Sequence, residues 1–88
     1  YVIAKNKIEL SDKALIDRIL DEIKAAYASE DINTEDGVKI SFESRREWVH
    51  LRRSNTEPII RIYAEAAGRD AADALAREIV CIAQKVIG

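Results

Sequence analysis

The sequence predicts an α+β fold, a two-layer sandwich with an antiparallel four-stranded sheet and two helices on one face. Three observations carry this. Two stretches, around Leu15 to Tyr27 and Ala72 to Val86, repeat apolar residues at helical spacing. Four others alternate apolar and polar residues with period two. Two amphipathic helices must bury their stripes on something, and one face of an antiparallel sheet is the simplest partner.

The chain has 88 residues, which allows one small domain, 1–88. It is 48% hydrophobic and 34% charged, too apolar for a disordered segment. No apolar run approaches the roughly 20 residues of a membrane span, and YVIAKNKIEL mixes charge into its apolar positions, unlike a signal peptide. A membrane partner is therefore not expected. The single Cys excludes an internal disulfide, so stability must come from packing. Fourteen Lys and Arg against sixteen Asp and Glu argue against a general nucleic-acid binder. They do not argue against a local phosphate site, which needs only a few well-aimed donors. The chain begins with Tyr1 rather than Met, which points to a fragment or a processed chain.

Residues 1–10 read as a strand with Val2, Ala4, Ile8 and Leu10 on one face, interrupted at Asn6. Ser11 is a good N-cap, Leu10 and Leu15 stand at the positions of a hydrophobic staple, and Asp12 suits the positive end of a helix dipole. The first helix is expected over 12–28. Its stripe is Leu15, Ile16, Ile19, Leu20, Ile23, Ala26 and Tyr27. Residues 29–36 are polar apart from Ile32 and read as a loop or a short edge strand, with Asp36-Gly37 as a turn. Val38, Ile40 and Phe42 make a half-buried strand, and Ser44 to Glu47 a hairpin turn. The third main strand, 48–52, puts Val49 and Leu51 on one face and Trp48, His50 and Arg52 on the other. The fourth, 59–66, puts Ile60, Ile62 and Ala64 inward and Ile59, Arg61, Tyr63 and Glu65 outward. Gly68 ends the strands. Asp70 can cap a second helix whose stripe is Ala72, Leu75, Ala76, Ile79, Ile82, Ala83 and Val86, with Cys81 a small filler at its flank.

One stretch departs from the pattern of a packing element: Arg52-Arg53-Ser54-Asn55-Thr56-Glu57-Pro58. Seven residues offer two guanidinium groups, two hydroxyls, an amide and several backbone N–H groups. Pro58 sets the exit and biases Glu57 toward an extended shape. Such a loop can turn its N–H groups inward as an anion nest. Ser54 and Thr56 can donate hydroxyl protons, and Arg52 can present a fork to a phosphate. Arg61 lies beside the loop if the two flanking strands pair. The composition alone also suits an ordinary turn between exposed strands.

That run, continuing through Ile59-Ile60-Arg61-Ile62-Tyr63-Ala64-Glu65-Ala66, resembles the C-terminal signature of the α-D-phosphohexomutases, of phosphomannomutase/phosphoglucomutase type. The family's last domain carries an Arg-x-Ser-(Gly or Asn)-Thr-Glu-Pro loop and an Arg on the following strand. Asp36-Gly37-Val38-Lys39-Ile40 and Trp48-Val49-His50-Leu51 resemble its flanking strands. Arg53 departs from the Pro of many members, which adds a charge and removes a rigid φ. Asn55, where others have Gly, sides with the phosphomannomutase/phosphoglucomutase branch.

The resemblance implies a TATA-binding-protein-like fold and a place as the fourth domain of a cytoplasmic enzyme. That enzyme interconverts hexose 1-phosphate and hexose 6-phosphate through a bisphosphorylated sugar. A phosphoserine in another domain transfers the phosphoryl group and Mg²⁺ binds in yet another, so no cofactor is expected in this one. The implied ligands of the substrate phosphate are Arg52, Ser54, Asn55, Thr56 and Arg61, with Glu57 and Pro58 shaping the loop. The implied partners are a hexose phosphate and the other domains of the same chain. With no catalytic group of its own, the 88-residue chain is expected to be inactive alone.

Other roles fit the residues less well. Ser54 lacks a nucleophile elbow. Glu30, Asp31, Glu35 and Asp36 lack the spacing of a calcium loop. Trp48, Tyr63, Arg52 and Arg61 on an open sheet face would also suit a base-stacking nucleic-acid module or a stand-alone protein-interaction domain. The acidic balance and the lack of an RNP1-type run stand against the first.

Overall fold

The computed structural model describes residues 1–35, 37–54 and 57–87. The element order is β1 (Val2–Glu9), α1 (Ala14–Ala26), β2 (Asp31–Asn33), β3 (Val38–Phe42), β4 (Glu47–Arg53), β5 (Ile59–Ala66) and α2 (Arg69–Ile87). The strands form one antiparallel sheet in the order β1-β5-β4-β3-β2. The fold is the expected α+β sandwich with one strand more than the four predicted. The additional strand is β2, in the segment whose sequence left a loop and a short edge strand both open. Its three residues pair with β3, Ile32 opposite Ile40. Ile32 packs partly buried against the core. One apolar residue in a polar stretch is too little alternation to announce a strand; pairing with an existing edge supplies the rest.

The helices cover one face. Ile16, Ile19, Leu20, Ile23 and Tyr27 of the first helical segment share one core cluster with Leu75, Ala76, Ile79 and Ala83 of α2. The sheet contributes Ile8, Val38, Ile40, Phe42, Val49, Leu51, Ile60, Ile62 and Ala64 to it. Among the described residues no polar or charged residue is buried. A small satellite of Ala4, Ala66 and Ala72 lets α2 approach β1 and β5 closely where it starts. Ile59 is buried as well, although it lies on the outward side of the alternation and outside the main cluster.

Helix α1 is shorter than the predicted 12–28. Its entry is a tight turn in which Leu15 N–H donates to Asp12 O and Ile16 N–H to Lys13 O, both at 3.1 Å. The expected Ser11 cap is replaced by Asp12, whose Oδ1 accepts from Ala14 N–H at 2.9 Å. An ionised carboxylate at the positive end of a helix is the stronger acceptor of the two. Helix α2 begins one residue before Asp70, which sits in its first turn.

Gly37 has φ +76°, and a Cβ there would lie 2.2 Å from the Leu51 carbonyl oxygen. Glycine is required both by the left-handed backbone and by the approach to β4. At the opposite end, the β3–β4 hairpin turns through Arg46 at φ 54°. Arg45 N–H donates to Phe42 O at 3.1 Å there, and Arg46 N–H to Glu43 O at 3.2 Å.

Candidate functional site

The β4–β5 connection is closed by short backbone bonds. Ser54 N–H donates to Ile59 O at 3.0 Å, and Ile59 N–H to Glu57 O at 2.8 Å. Ser54 Oγ accepts from Glu57 N–H at 3.3 Å. The exit is tied to the far strand, because Leu10 N–H donates to Pro58 O at 2.8 Å. Glu57 takes part in this closure by its carbonyl and amide, and Pro58 by its carbonyl. Asn55 and Thr56 lie outside the described residues.

Beneath this loop the sheet register brings the arginines together. Arg52 stands directly opposite Arg61. Both are exposed and on the side away from the helices, since their neighbours Leu51, Ile60 and Ile62 are fully buried. The expected pairing of the two flanking strands across the loop is thus met. Adjacent strands lie about 4.8 Å apart, so two guanidinium forks at one register level can converge on one anion. Like charges placed opposite each other cost free energy, and a bound dianion would reverse the sign of that cost.

Arg53 goes the other way. It pairs with Ile60 in register, on the helix side, and its Nη1 meets Asp17 Oδ1 at 2.7 Å. Both side chains are substantially exposed, so the pair contributes at most about 1 kcal/mol. Its effect is geometric. The Arg53 charge is directed to α1 and lies on the opposite face of the sheet from Arg52.

The open face continues in register. One row is Lys7, Arg61, Arg52; the next is Lys5, Tyr63, His50, Lys39; the next is Ile3, Glu65, Trp48, Ser41. Trp48 is held within the sheet: its Nε1–H donates to Glu65 Oε2 at 2.5 Å and Lys39 Nζ lies 4.9 Å above its ring. Lys5 and Lys7 carry no role in the sequence reading. Their signal was present, since they alternate against Ala4 and Ile8, but it needed the β1–β5 pairing to become meaningful.

The hairpin end carries a different cluster. Tyr27 Oη donates to Glu78 Oε1 at 2.6 Å, and its ring meets Phe42 edge-on at 5.4 Å. Burial, then the hydrogen bond to Glu78 and that carboxylate's charge, push the phenol well above its ordinary value; Arg45 opposes them. Among the described residues no three His, Cys, Asp or Glu side chains come together as a metal site. Among them also, no helix is long and apolar enough to cross a membrane. Cys81 is exposed on α2.

Residues 6–81 match the family model of the phosphoglucomutase/phosphomannomutase C-terminal domain. The chain belongs to that family. Among curated relatives, this domain is 36% identical over 81 residues to a phosphoglucosamine/phosphogalactosamine mutase of Sulfurisphaera tokodaii, covering 90% of the chain and 17% of the relative. It is 34% identical over 89 residues to a probable phosphoglucosamine mutase of Methanopyrus kandleri, covering 99% of the chain and 19% of the relative. It is 39% identical over 69 residues to a phosphoglucomutase/phosphomannomutase of Thermococcus kodakarensis, covering 77% of the chain and 14% of the relative. The chain thus spans less than a fifth of the length of these three mutases.

Proposed function

We propose that this mutase domain holds the phosphate of a hexose phosphate that is not reacting, with Arg52, Ser54 and Arg61 as ligands and Asn55 and Thr56 completing the loop. The observation that carries the reading is the placement of Arg52 opposite Arg61 under a loop closed on Ser54. Phosphoryl transfer depends mostly on positioning and electrostatics. A phosphate held at a fixed point orients the sugar toward a phosphoserine carried by another domain of the mutase, and the binding free energy of the remote group lowers the barrier at the reacting one. The loop and its two arginines contact the phosphate and do not read the sugar's identity. A site of this kind accepts either end of a bisphosphorylated sugar, which lets the intermediate turn over between the two half-reactions. Relatives named for glucosamine and for glucose or mannose phosphates both match this domain, in keeping with a phosphate site shared across sugars.

The test is Arg52→Ala in the full-length mutase. Loss of a charge-assisted ligand removes about 1.5–3 kcal/mol, so kcat/KM falls roughly 10- to 100-fold. An unchanged kcat/KM would refute the assignment.

A further inference from the structure

The reading above uses two cations of a row of three. Lys7 of β1 stands opposite Arg61, which stands opposite Arg52. All three belong to the open face, because Ile8, Ile60, Ile62 and Leu51, their chain neighbours, are buried on the other. Past Arg61 the surface dips into a groove of about 420 Å³ lined by Lys5, Asn6, Lys7, Arg61 and Tyr63. Three of its five lining side chains are cationic, and a fourth is the half-buried Tyr63. Glu9 Oε1 lies 3.3 Å from Lys7 Nζ. Both of those side chains are more than half exposed, so the pair is weak and readily exchanged for a dianion.

We infer that this groove is the sugar-side continuation of the phosphate site, an inference that rests on the reading above. Lys7 joins Arg61 and Arg52 on the phosphate. The next register row lies about 7 Å along the strands. It presents Tyr63 as a flat apolar platform for the hexose ring and Lys5 as a donor to its hydroxyls. The ligand is therefore a hexose monophosphate laid along β5, with its phosphate toward the loop. Arg61, shared between loop and groove, couples the two halves. The signature is an affinity for glucose 6-phosphate above that for inorganic phosphate.

The chain has its own core cluster drawn from both helices and every strand except β2, which packs against it. Amide NMR on the 88-residue chain therefore serves as the assay, its dispersed spectrum reporting folding of each variant. Glucose 6-phosphate is expected to shift Lys5, Lys7 and Tyr63 as well as Arg52 to Ser54 and Arg61. The double variant Lys5→Gln, Lys7→Gln is expected to weaken it about fivefold while the loop shifts persist at saturation. Tyr63→Leu is expected to weaken glucose 6-phosphate and leave inorganic phosphate unchanged. Lys85→Gln, which removes one charge from the helix side, is expected to change neither. Loop shifts with full affinity in both groove variants would overturn the groove while leaving the phosphate loop standing. Equal weakening by Lys85→Gln would reduce the effect to net charge and overturn it too. No shift at loop or groove would overturn both readings.

Discussion

Two of the connections between neighbouring antiparallel strands in this sheet are short and polar, with arginines in them or beside them. The β3–β4 turn follows Phe42 and carries Arg45 and Arg46; the β4–β5 loop follows Arg53 and carries Ser54 to Pro58. In the first, Arg45 folds back. Its guanidinium carbon lies 4.6 Å over the Phe42 ring and its Nε 3.4 Å from Glu47 Oε1. The charge is used within the fold. In the second, Arg52 and Arg61 face each other across the strands on the open face. Two guanidinium groups brought to one register level can share an anion between them. What separates the two connections is therefore not composition but where each charge is aimed.

The largest effect comes from the backbone support of the site end. Gly37→Ala would put a methyl 2.2 Å from the Leu51 carbonyl oxygen, next to Arg52, in a left-handed conformation. A loss of roughly 3 kcal/mol or more is expected, read from the urea midpoint. A loss under 1 kcal/mol would mean that this end of the sheet is looser than described.

The second comparison is Arg52→Ala against Arg45→Ala. The first is expected to weaken hexose phosphate binding 10- to 100-fold. The second is expected to leave binding alone and reduce stability by about 0.5–1 kcal/mol, through the lost ring and carboxylate contacts. Calorimetric titration and thermal unfolding of each variant separate the two roles. If both variants weakened binding alike, the distinction between the hairpins would collapse.

Alkaline pH isolates the hairpin end. The folded state holds the Tyr27 proton above the ordinary phenol value, whereas the unfolded chain releases it near 10. Above that pH the unfolded state binds fewer protons, so stability falls as pH rises, by up to about 1.4 kcal/mol per pH unit. Below it the contribution is fully present. Tyr27→Phe should flatten that alkaline slope, as measured by unfolding between pH 9 and 11. An unchanged slope would place the titration elsewhere.

The smallest effect is at Arg46. Its φ of 54° is strained for a residue with a side chain. Arg46→Gly is expected to be neutral or to stabilise by up to about 1 kcal/mol, the relief of strain offset by glycine's backbone entropy. A clear destabilisation would show that the Arg46 side chain holds the turn.

Strong periodicity made most of the fold legible. Strands β3 and β5 and both helical stripes stand where the alternation and the helical spacing put them. The differences are local. β2 resolves a segment that the sequence left open between a loop and a short edge strand: β3 offers the edge that one Ile in a polar stretch needs. α1 is capped by Asp12 rather than Ser11, a choice between adjacent acceptors that depends on the entry turn. The arginines were legible as a motif, but their aim was not. Arg52 and Arg53 are neighbours in sequence and lie on opposite faces, and only the β4–β5 register shows Arg52 beside Arg61 and Arg53 beside α1. Lys7 stayed hidden for the same reason: it is 54 residues from its cross-strand partner Arg61.

The most direct measurement of the central claim is an amide shift map of the 88-residue chain on adding glucose 6-phosphate. The claim requires shifts at Arg52 to Ser54 and Arg61, abolished in Arg52→Ala, with Ser44 to Arg46 silent. Shifts spread equally over both hairpins, or none near Arg52 well above millimolar ligand, would contradict it.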